Sequence, residues 1–325
     1  MILVTGGAGY IGRHVVAALE QEGFETLVFD DFSTGHRDFV SGVKYVEGDV
    51  RDSGDLANTF AKYSIQGVLH FAGKALVGES RERPELYYET NVGGGLNLLR
   101  AMAQAQVQTL VFSSTCAVYG VPRTEKIEEE HPLQPINPYG ETKLAFEKAL
   151  GWFRAAYGLR YLSLRYFNAA GADPGGAWGE DHAPETHLIP LVLEAAAGLR
   201  ENVTIHGADY PTPDGTCVRD FVHVTDLARA HVTGIRRLME AALEPQAVNL
   251  GTGTGASVRQ VIDIARSVTG REVKAIEGPR REGDPPELVA TADKARELLD
   301  WTPQHSDLET IVKTAWDWIR KRRGV

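Results

Sequence analysis

Val4-Thr5-Gly6-Gly7-Ala8-Gly9-Tyr10-Ile11-Gly12 is the stretch that decides the fold. It follows the apolar run Ile2-Leu3-Val4-Thr5 and opens the amphipathic segment Tyr10–Glu22. The glycines satisfy both G-x-x-G-x-x-G and G-x-G-x-x-G. A strand that turns through bare backbone into a helix is the start of a βαβ unit. Glycine is required where backbone must approach a pyrophosphate and where the helix must pack closely on its strand. The helix N-terminus then turns N–H groups and a positive dipole end toward the phosphates.

Further along the chain, short apolar strands alternate with helical patterns. Strands are predicted at Ile2–Thr5, Thr26–Asp30, Lys44–Glu47, Gly67–Phe71, Thr109–Ser113 and Arg160–Arg165. Helices are predicted at Tyr10–Glu22, Glu85–Ala105 and Pro138–Tyr157. This alternation implies an α/β protein with a Rossmann-like, doubly wound parallel sheet. Beyond about Asn168 the texture changes to Gly, Pro, Asp and His, with helices predicted at Leu188–Ala197, Val224–Met239 and Val258–Thr269 and turns over Gly207–Thr216. Residues 1–167 are therefore expected to form the dinucleotide-binding domain. Residues 168–325 are expected to form mainly a smaller α/β substrate lobe, with segments returning to complete the first domain.

Asp30 ends the second strand, 18 residues after Gly12. A carboxylate there binds ribose hydroxyls and repels a 2′-phosphate, which favours NAD over NADP. Asp49, at the end of the next strand, is a candidate for the adenine amino group.

Asn137-Pro138-Tyr139 reads as a helix start, because Asn caps well and Pro suits the first helical position. Tyr139 and Lys143 then share a helix face. A free phenol has a pKa of about 10. Bringing it to neutrality takes about 4 kcal/mol of differential stabilisation, which a neighbouring ammonium and a cationic nicotinamide ring can supply. Ser113-Ser114-Thr115 ends a strand and brings hydroxyls to the same edge. The arrangement predicted is a hydroxyl, a tyrosine acid/base and a lysine around a hydride-accepting ring.

Composition narrows the alternatives. Hydrophobic residues are 43% and charged residues 24% of 325, which is the balance of a globular chain. The net charge of −10 and the lack of a basic stripe argue against nucleic acid. The one basic run, Arg320–Arg323, is expected to be a solvated helix end. Cys116 and Cys217 are too few and too far apart for a disulfide framework, so thiols in a reducing compartment are expected. The first residues read as a strand and not as a signal peptide, and no apolar run is long enough to span a membrane, so a cytoplasmic location is expected. His182 and His187 lie five apart, off the i, i+4 spacing of paired ligands on a helix, and no metal is expected.

Ten segments, the opening stretch among them, carry a resemblance. VTGGAGYIGRH from Val4, EGDVRD from Glu47, HFAG from His70, VGES from Val77, VFSSTCAVYG from Val111 and NPYGETK from Asn137 are joined by LRYFNAAGADP from Leu164. HGADYPTPDGTCVRDFVHVTDLA from His206, NLGTG from Asn249 and RREGD from Arg280 complete the set. On these the chain resembles the extended short-chain dehydrogenase/reductase superfamily and, within it, the UDP-glucose (UDP-galactose) 4-epimerases.

The resemblance implies roles residue by residue. Thr115, Tyr139 and Lys143 would be catalytic. Gly6, Gly9, Tyr10, Ile11, Gly12, Asp30, Asp31, Ser33, Thr34, Gly35, Asp49 and Val50 would hold the adenosine and pyrophosphate of NAD. Phe71, Ala72, Gly73, Asn91, Ser113 and Phe167 would line the rest of that pocket. Asn168, His187 and Leu188 would contact the nucleotide diphosphate, with Arg219 and Arg281 clamping its phosphates and Asp284 on a uridine ribose hydroxyl. The alternative for the two arginines is ion pairing with Asp220 and Glu282. His206 would stack on uracil and Leu288 would line the sugar. The sequence departs from the family's pattern at Ala75, with Lys74 one place early, and at His187 and His206.

The implied reaction inverts carbon 4 of a UDP-hexose through a 4-keto sugar, with the cofactor retained. N-acetylhexosamines and pentoses remain alternative sugars. A 4,6-dehydratase would carry an Asp-Glu pair where Cys116 and Ala117 stand, and UDP-glucuronate decarboxylases tend to have glutamate at Ala117. A non-catalytic NAD-binding protein would be expected to lack Tyr139 or Lys143. The resemblance also implies a homodimer formed through Glu85–Ala105 and Pro138–Tyr157.

Overall fold

The structure is a computed structural model that describes residues 1–281 and 284–325. Glu282, named above as a possible ion-pair partner, lies outside the described residues.

The first compact unit comprises residues 1–120, 132–165 and 228–248. Its centre is a seven-stranded sheet. The strands are β1 (Ile2–Thr5), β2 (Thr26–Asp30), β3 (Tyr45–Glu47), β4 (Gly67–His70), β5 (Thr109–Thr115), β6 (Arg160–Tyr166) and a last strand, Gln246–Leu250. Their order is β3-β2-β1-β4-β5-β6 and then Gln246–Leu250. β1 pairs in parallel with β2, with Ile2 opposite Thr26, and also with β4, with Ile2 opposite Gly67. The strand order therefore reverses beside β1, and a doubly wound sheet opens its crevice at the carboxyl ends of the strands there. Gly6 follows β1 and Phe71 follows β4, so both chain segments leave the sheet at that edge.

Every residue of β1, β2, β4 and β5 is buried, as expected of strands covered on both faces by helices. Leu3, Phe29, Val68, Leu110 and Phe112 from these strands pack with Leu56, Leu98, Met102, Phe146 and Leu150 from the surrounding helices. The helix Ser53–Lys62, unassigned in the sequence reading, starts at Asp52, whose carboxylate accepts the Gly54 N–H at 2.7 Å. The helix Pro138–Tyr157 begins as its sequence predicts, with the Asn137 side chain accepting the Gly140 N–H at 2.9 Å. It stops at Gly158, which is left-handed at φ 72°.

The single helix expected over Glu85–Ala105 is three pieces: Pro84–Tyr87, a π-helical stretch Tyr88–Gly94, and Gly95–Gln104. The glycines at the join explain the difference. A Cβ on Gly94 would lie 2.7 Å from the Val50 side chain, and one on Gly95 would lie 2.5 Å from the Phe146 ring. The helix stays continuous through the wider turn, the glycines admit the close neighbours, and Asn91 in that turn is buried.

The second unit comprises residues 121–131, 166–227 and 249–325. Helices Leu188–Ala196, Val258–Thr269 and Leu308–Arg323 pack on one another. The middle one carries a capping box between Ser257 and Gln260. Among the described residues three small sheets accompany them, one formed by Ala256–Ser257, Val218–Arg219 and Glu287–Leu288. The C-terminal basic run is not simply solvated. Arg322 and Arg323 both bond the Asp181 carboxylate at 2.8 Å, and Arg320 pairs with Asp317. No disulfide joins Cys116 to Cys217. Among the described residues, no helix is long and apolar enough to cross a membrane.

Candidate active site

The glycine loop is built as its spacing demands. Gly6 is left-handed at φ 72°, and a Cβ there would meet the Ala72 nitrogen at 2.5 Å. A Cβ on Gly12 would lie 2.2 Å from the Gly6 carbonyl oxygen. Both positions exclude any side chain. Gly9 differs: its missing Cβ would approach only the Gly6 oxygen, at 3.4 Å, so its outer face is open. Tyr10 is buried, with its ring edge-on to His14, and Ile11 is half-buried.

Asp30 is buried at the end of β2. Its carboxylate accepts the Ala8 and Phe32 N–H groups, each at 2.9 Å. Burial raises its pKa, against the pull of those two bonds. A carboxylate has about four lone-pair sites, so two remain for hydroxyl donors. Gly35 packs directly on it; a Cβ there would lie 2.8 Å from Asp30 Oδ1. Asp31 accepts the Ser33 N–H, and Asp31, Ser33 and Thr34 lie on the exposed side of this turn. Asp49 is held by Arg51 Nε at 2.9 Å, and that bond lowers its pKa. Val50 beside it is buried against the glycine join.

After β4 come Phe71, whose ring lies 4.8 Å from that of His231, and then Ala72 and Gly73. A Cβ on Gly73 would meet Asn91 Oδ1 at 2.8 Å and Lys143 Nζ at 3.7 Å. Asn91 is buried. Its amide oxygen accepts the Lys74 N–H at 2.8 Å, and its Nδ2 donates to the Thr142 hydroxyl at 3.0 Å. Lys74, which the family pattern would place one residue later, thus contributes backbone to this network.

Tyr139 and Lys143 stand one turn apart on the helix that Asn137 caps. The Lys143 ammonium donates to the Ser113 carbonyl at 2.9 Å and lies 5.9 Å from the Tyr139 ring centroid. The Tyr139 phenol hydrogen-bonds to Thr115, at the end of β5. Burial pushes this phenol up to about 12, and the Thr115 bond only partly offsets it. Burial also brings the Lys143 ammonium down to about 8, with Glu147 opposing. The constellation of Ser113, Thr115, Tyr139, Lys143, Asn91 and Gly73 therefore sits together in the first unit. One turn further along the helix, Glu147 accepts the Ser114 hydroxyl and forms a buried bidentate pair with Arg165, which also donates to the Tyr119 hydroxyl.

In the second unit, Arg219 pairs with Asp284 rather than with Asp220. It also donates to the Val218 carbonyl at 2.7 Å. Asp220 is wholly buried and accepts the Thr252 N–H and hydroxyl and the Gly253 and Ala290 N–H groups. This accounts for NLGTG: a Cβ on Gly251 would lie 2.6 Å from Asp220 Oδ2. Asp220 was legible only as a neighbour of Arg219, although a carboxylate aimed at a glycine turn is a recognisable device. Leu288 lies opposite Arg219 in the small sheet. His206 is lowered in pKa by burial and by the nearby Arg281 cation. Asn168 opens a short strand parallel to Phe221–His223, Phe167 before it is buried, and Leu188 starts the helix Leu188–Ala196.

His182 and His187 do not behave as separate loop residues. With Glu180 and Glu185 they converge, all four donor atoms lying within 4.8 Å of one another. The helical spacing rule does not govern them because the chain over 180–187 is irregular and folds back on itself.

The sequence pattern of the NAD dependent epimerase/dehydratase family matches residues 2–251. The chain belongs to that family. Within it, the chain is 50% identical over 320 residues to a UDP-glucose 4-epimerase of Halalkalibacterium halodurans, covering 98% of this chain and 96% of that one. A crystal structure of a UDP-glucose 4-epimerase superposes with a TM-score of 0.96 at 49% identity, covering 99% and 98% of the two chains. The Brucella ovis UDP-glucose 4-epimerase, solved in complex with NAD, gives 0.94 at 49% identity over 97% of each. The family's cofactor fits the first unit: glycine backbone leaves the approach at Gly9 open, and Asp30 retains acceptor capacity.

Proposed function

We propose that this chain is an NAD-dependent epimerase that inverts carbon 4 of a UDP-hexose, interconverting UDP-galactose and UDP-glucose through a 4-keto sugar. The observation that carries this reading is the near full-length likeness to UDP-glucose 4-epimerases. Cys116 and Ala117, which follow Thr115 at the end of β5, separate it from a dehydratase, since neither side chain can do carboxylate acid/base work.

Bound NAD supplies two-electron redox chemistry at carbon 4. The chain's own groups do the rest. Gly6, Gly9, Tyr10, Ile11 and Gly12 present backbone to the pyrophosphate, and Asp30 takes ribose hydroxyls. Tyr139 removes the proton of the 4-hydroxyl and later returns one to the keto oxygen. Thr115 orients that hydroxyl. Lys143, anchored on Ser113, binds the second ribose and favours the phenolate. In the second unit, Arg219 and Arg281 take the diphosphate, with Asn168, His187 and Leu188 beside them, while Asp284 takes a uridine ribose hydroxyl and His206 the uracil face. Arg219 carries five donors, so it can serve Asp284 and a phosphate together.

We also infer a homodimer and a cytoplasmic location. Trp152 and Tyr157 are exposed on the helix Pro138–Tyr157, at 76% and 56%, an apolar face that a partner copy would cover. Sedimentation at the mass of one chain would remove the dimer, and recovery outside the cytosolic fraction would remove the location. For the reaction, purified protein mixed with UDP-galactose and no added cofactor should yield UDP-glucose by proton NMR. An unchanged substrate in the presence of added NAD would contradict it.

A further inference from the structure

We propose that Glu180, His182, Glu185 and His187 form a tetrahedral site for one divalent transition-metal ion of the zinc type, made of residues that the catalytic constellation does not include.

The four residues lie within one eight-residue segment of the second unit. His182 Nδ1 stands 3.3 Å from Glu180 Oε1 and 3.6 Å from Glu185 Oε2. His187 Nδ1 stands 2.8 Å from Glu180 Oε1 and 2.9 Å from Glu185 Oε1. A tetrahedral zinc ion with bonds of about 2.1 Å sets its ligands about 3.4 Å apart. The observed spacings bracket that value, so small rotations of the side chains admit the ion. Two imidazole nitrogens and two carboxylate oxygens suit zinc and its transition-metal neighbours, whereas magnesium and calcium call for oxygen alone.

The site is braced from outside. Glu185 Oε1 accepts the Thr186 N–H at 2.7 Å and the His187 N–H at 2.8 Å, which fixes that carboxylate toward the cluster. The Glu180 carbonyl accepts the Trp318 indole N–H at 3.0 Å. Asp181 turns the other way and holds Arg322 and Arg323, so the loop is tied to the C-terminal helix independently of the four ligands. The Glu180 and Glu185 side chains are only 8% and 6% exposed. Two largely buried carboxylates require positive charge beside them, which the two imidazoles supply when protonated and which one divalent ion bound to neutral imidazoles would supply in their place. Four protein ligands leave no open position, which marks a structural rather than a catalytic site.

The function of such an ion is to staple the loop. His187 is the residue before the helix Leu188–Ala196, so coordination would fix the start of that helix as well as the loop. The inference does not rest on the epimerase reading; His187, which that reading sets beside the diphosphate, is left unchanged in the test, and the test reads metal binding and stability rather than turnover.

Full-length protein with its cofactor is treated with a chelator, exchanged into metal-free buffer and titrated with Zn2+ by calorimetry and with Co2+ by visible absorption. The expected result is one ion per chain, a tetrahedral Co2+ spectrum and a higher Tm with zinc than without. His182→Asn and Glu185→Gln should each weaken zinc binding at least about tenfold, as losing a ligand must cost no less than losing an outer-sphere partner. Circular dichroism checks that both variants fold. Failure of the wild-type protein to take up stoichiometric zinc would overturn the proposal whatever the variants do. So would unchanged zinc affinity in folded variants.

Discussion

The Thr115 hydroxyl is hydrogen-bonded to the Tyr139 phenol, although one residue ends a strand and the other opens a helix. The join depends on the Asn137 cap. That cap fixes where the helix begins and so which residue reaches the strand end. A tyrosine so placed is half-buried, and desolvation raises its pKa. Its use as a base therefore depends on positive charge brought to it.

Removing the phenol oxygen should be felt in chemistry and not in folding. Tyr139→Phe is expected to lower turnover at least about a hundredfold while NAD binding and Tm stay near those of the wild type. Near-normal turnover in a pure preparation would show that another group carries the proton.

Lys143→Met removes the ammonium one turn away. The phenolate then loses a neighbouring cation, so the rising limb of the pH–rate profile should move to higher pH. In the wild type, burial brings the Lys143 ammonium down to about 8, so its help fades above that pH and the two profiles should converge on the alkaline side. Profiles of kcat measured for both proteins test this, and an unshifted rising limb would count against the role.

The glycine fingerprint, Asp30 and the capped Tyr139 helix were legible because each is written in consecutive residues under local steric rules. The π-helical stretch was not. It arises where Gly94 and Gly95 meet Val50 and Phe146, contacts made far along the chain. The pairing of Arg219 with Asp284 and the gathering of Asp220 onto the Thr252–Gly253 turn are likewise non-local. His182 and His187 were read with a helical ruler that does not apply to an irregular loop.

The Glu147–Arg165 pair buries two charges behind the helix face that carries Lys143. Arg165→Met would leave the Glu147 carboxylate buried without its partner and should cost about 3–5 kcal/mol of stability. Changing Glu147 to Met as well should recover much of that loss, because two well-packed apolar side chains can replace a buried pair. Urea unfolding of the single and double variants decides it. A double variant as unstable as the single would show that the pair's hydrogen bonds to Ser114 and Tyr119 dominate.

If Leu288 lines the sugar as the resemblance implies, it would set sugar breadth. The resemblance places it on the wall passed by the keto sugar, where a larger tyrosine is associated with strict UDP-galactose specificity. A leucine there would leave more room for an acetamido group than a tyrosine, so UDP-GalNAc is expected to be a substrate as well. Leu288→Tyr should lower kcat/KM for UDP-GalNAc relative to UDP-galactose by the equivalent of ~1–3 kcal/mol. An unchanged ratio would place the specificity elsewhere.

The central claim is that the hydrogen at carbon 4 leaves the sugar and returns to it without meeting water. UDP-galactose carrying deuterium at carbon 4 tests this most directly, with purified protein, no added cofactor and ordinary water. The expected product is UDP-glucose that keeps its deuterium at carbon 4, formed by protein that releases NAD when denatured. UDP-glucose carrying ordinary hydrogen at carbon 4, with the label washed into solvent, would contradict the account.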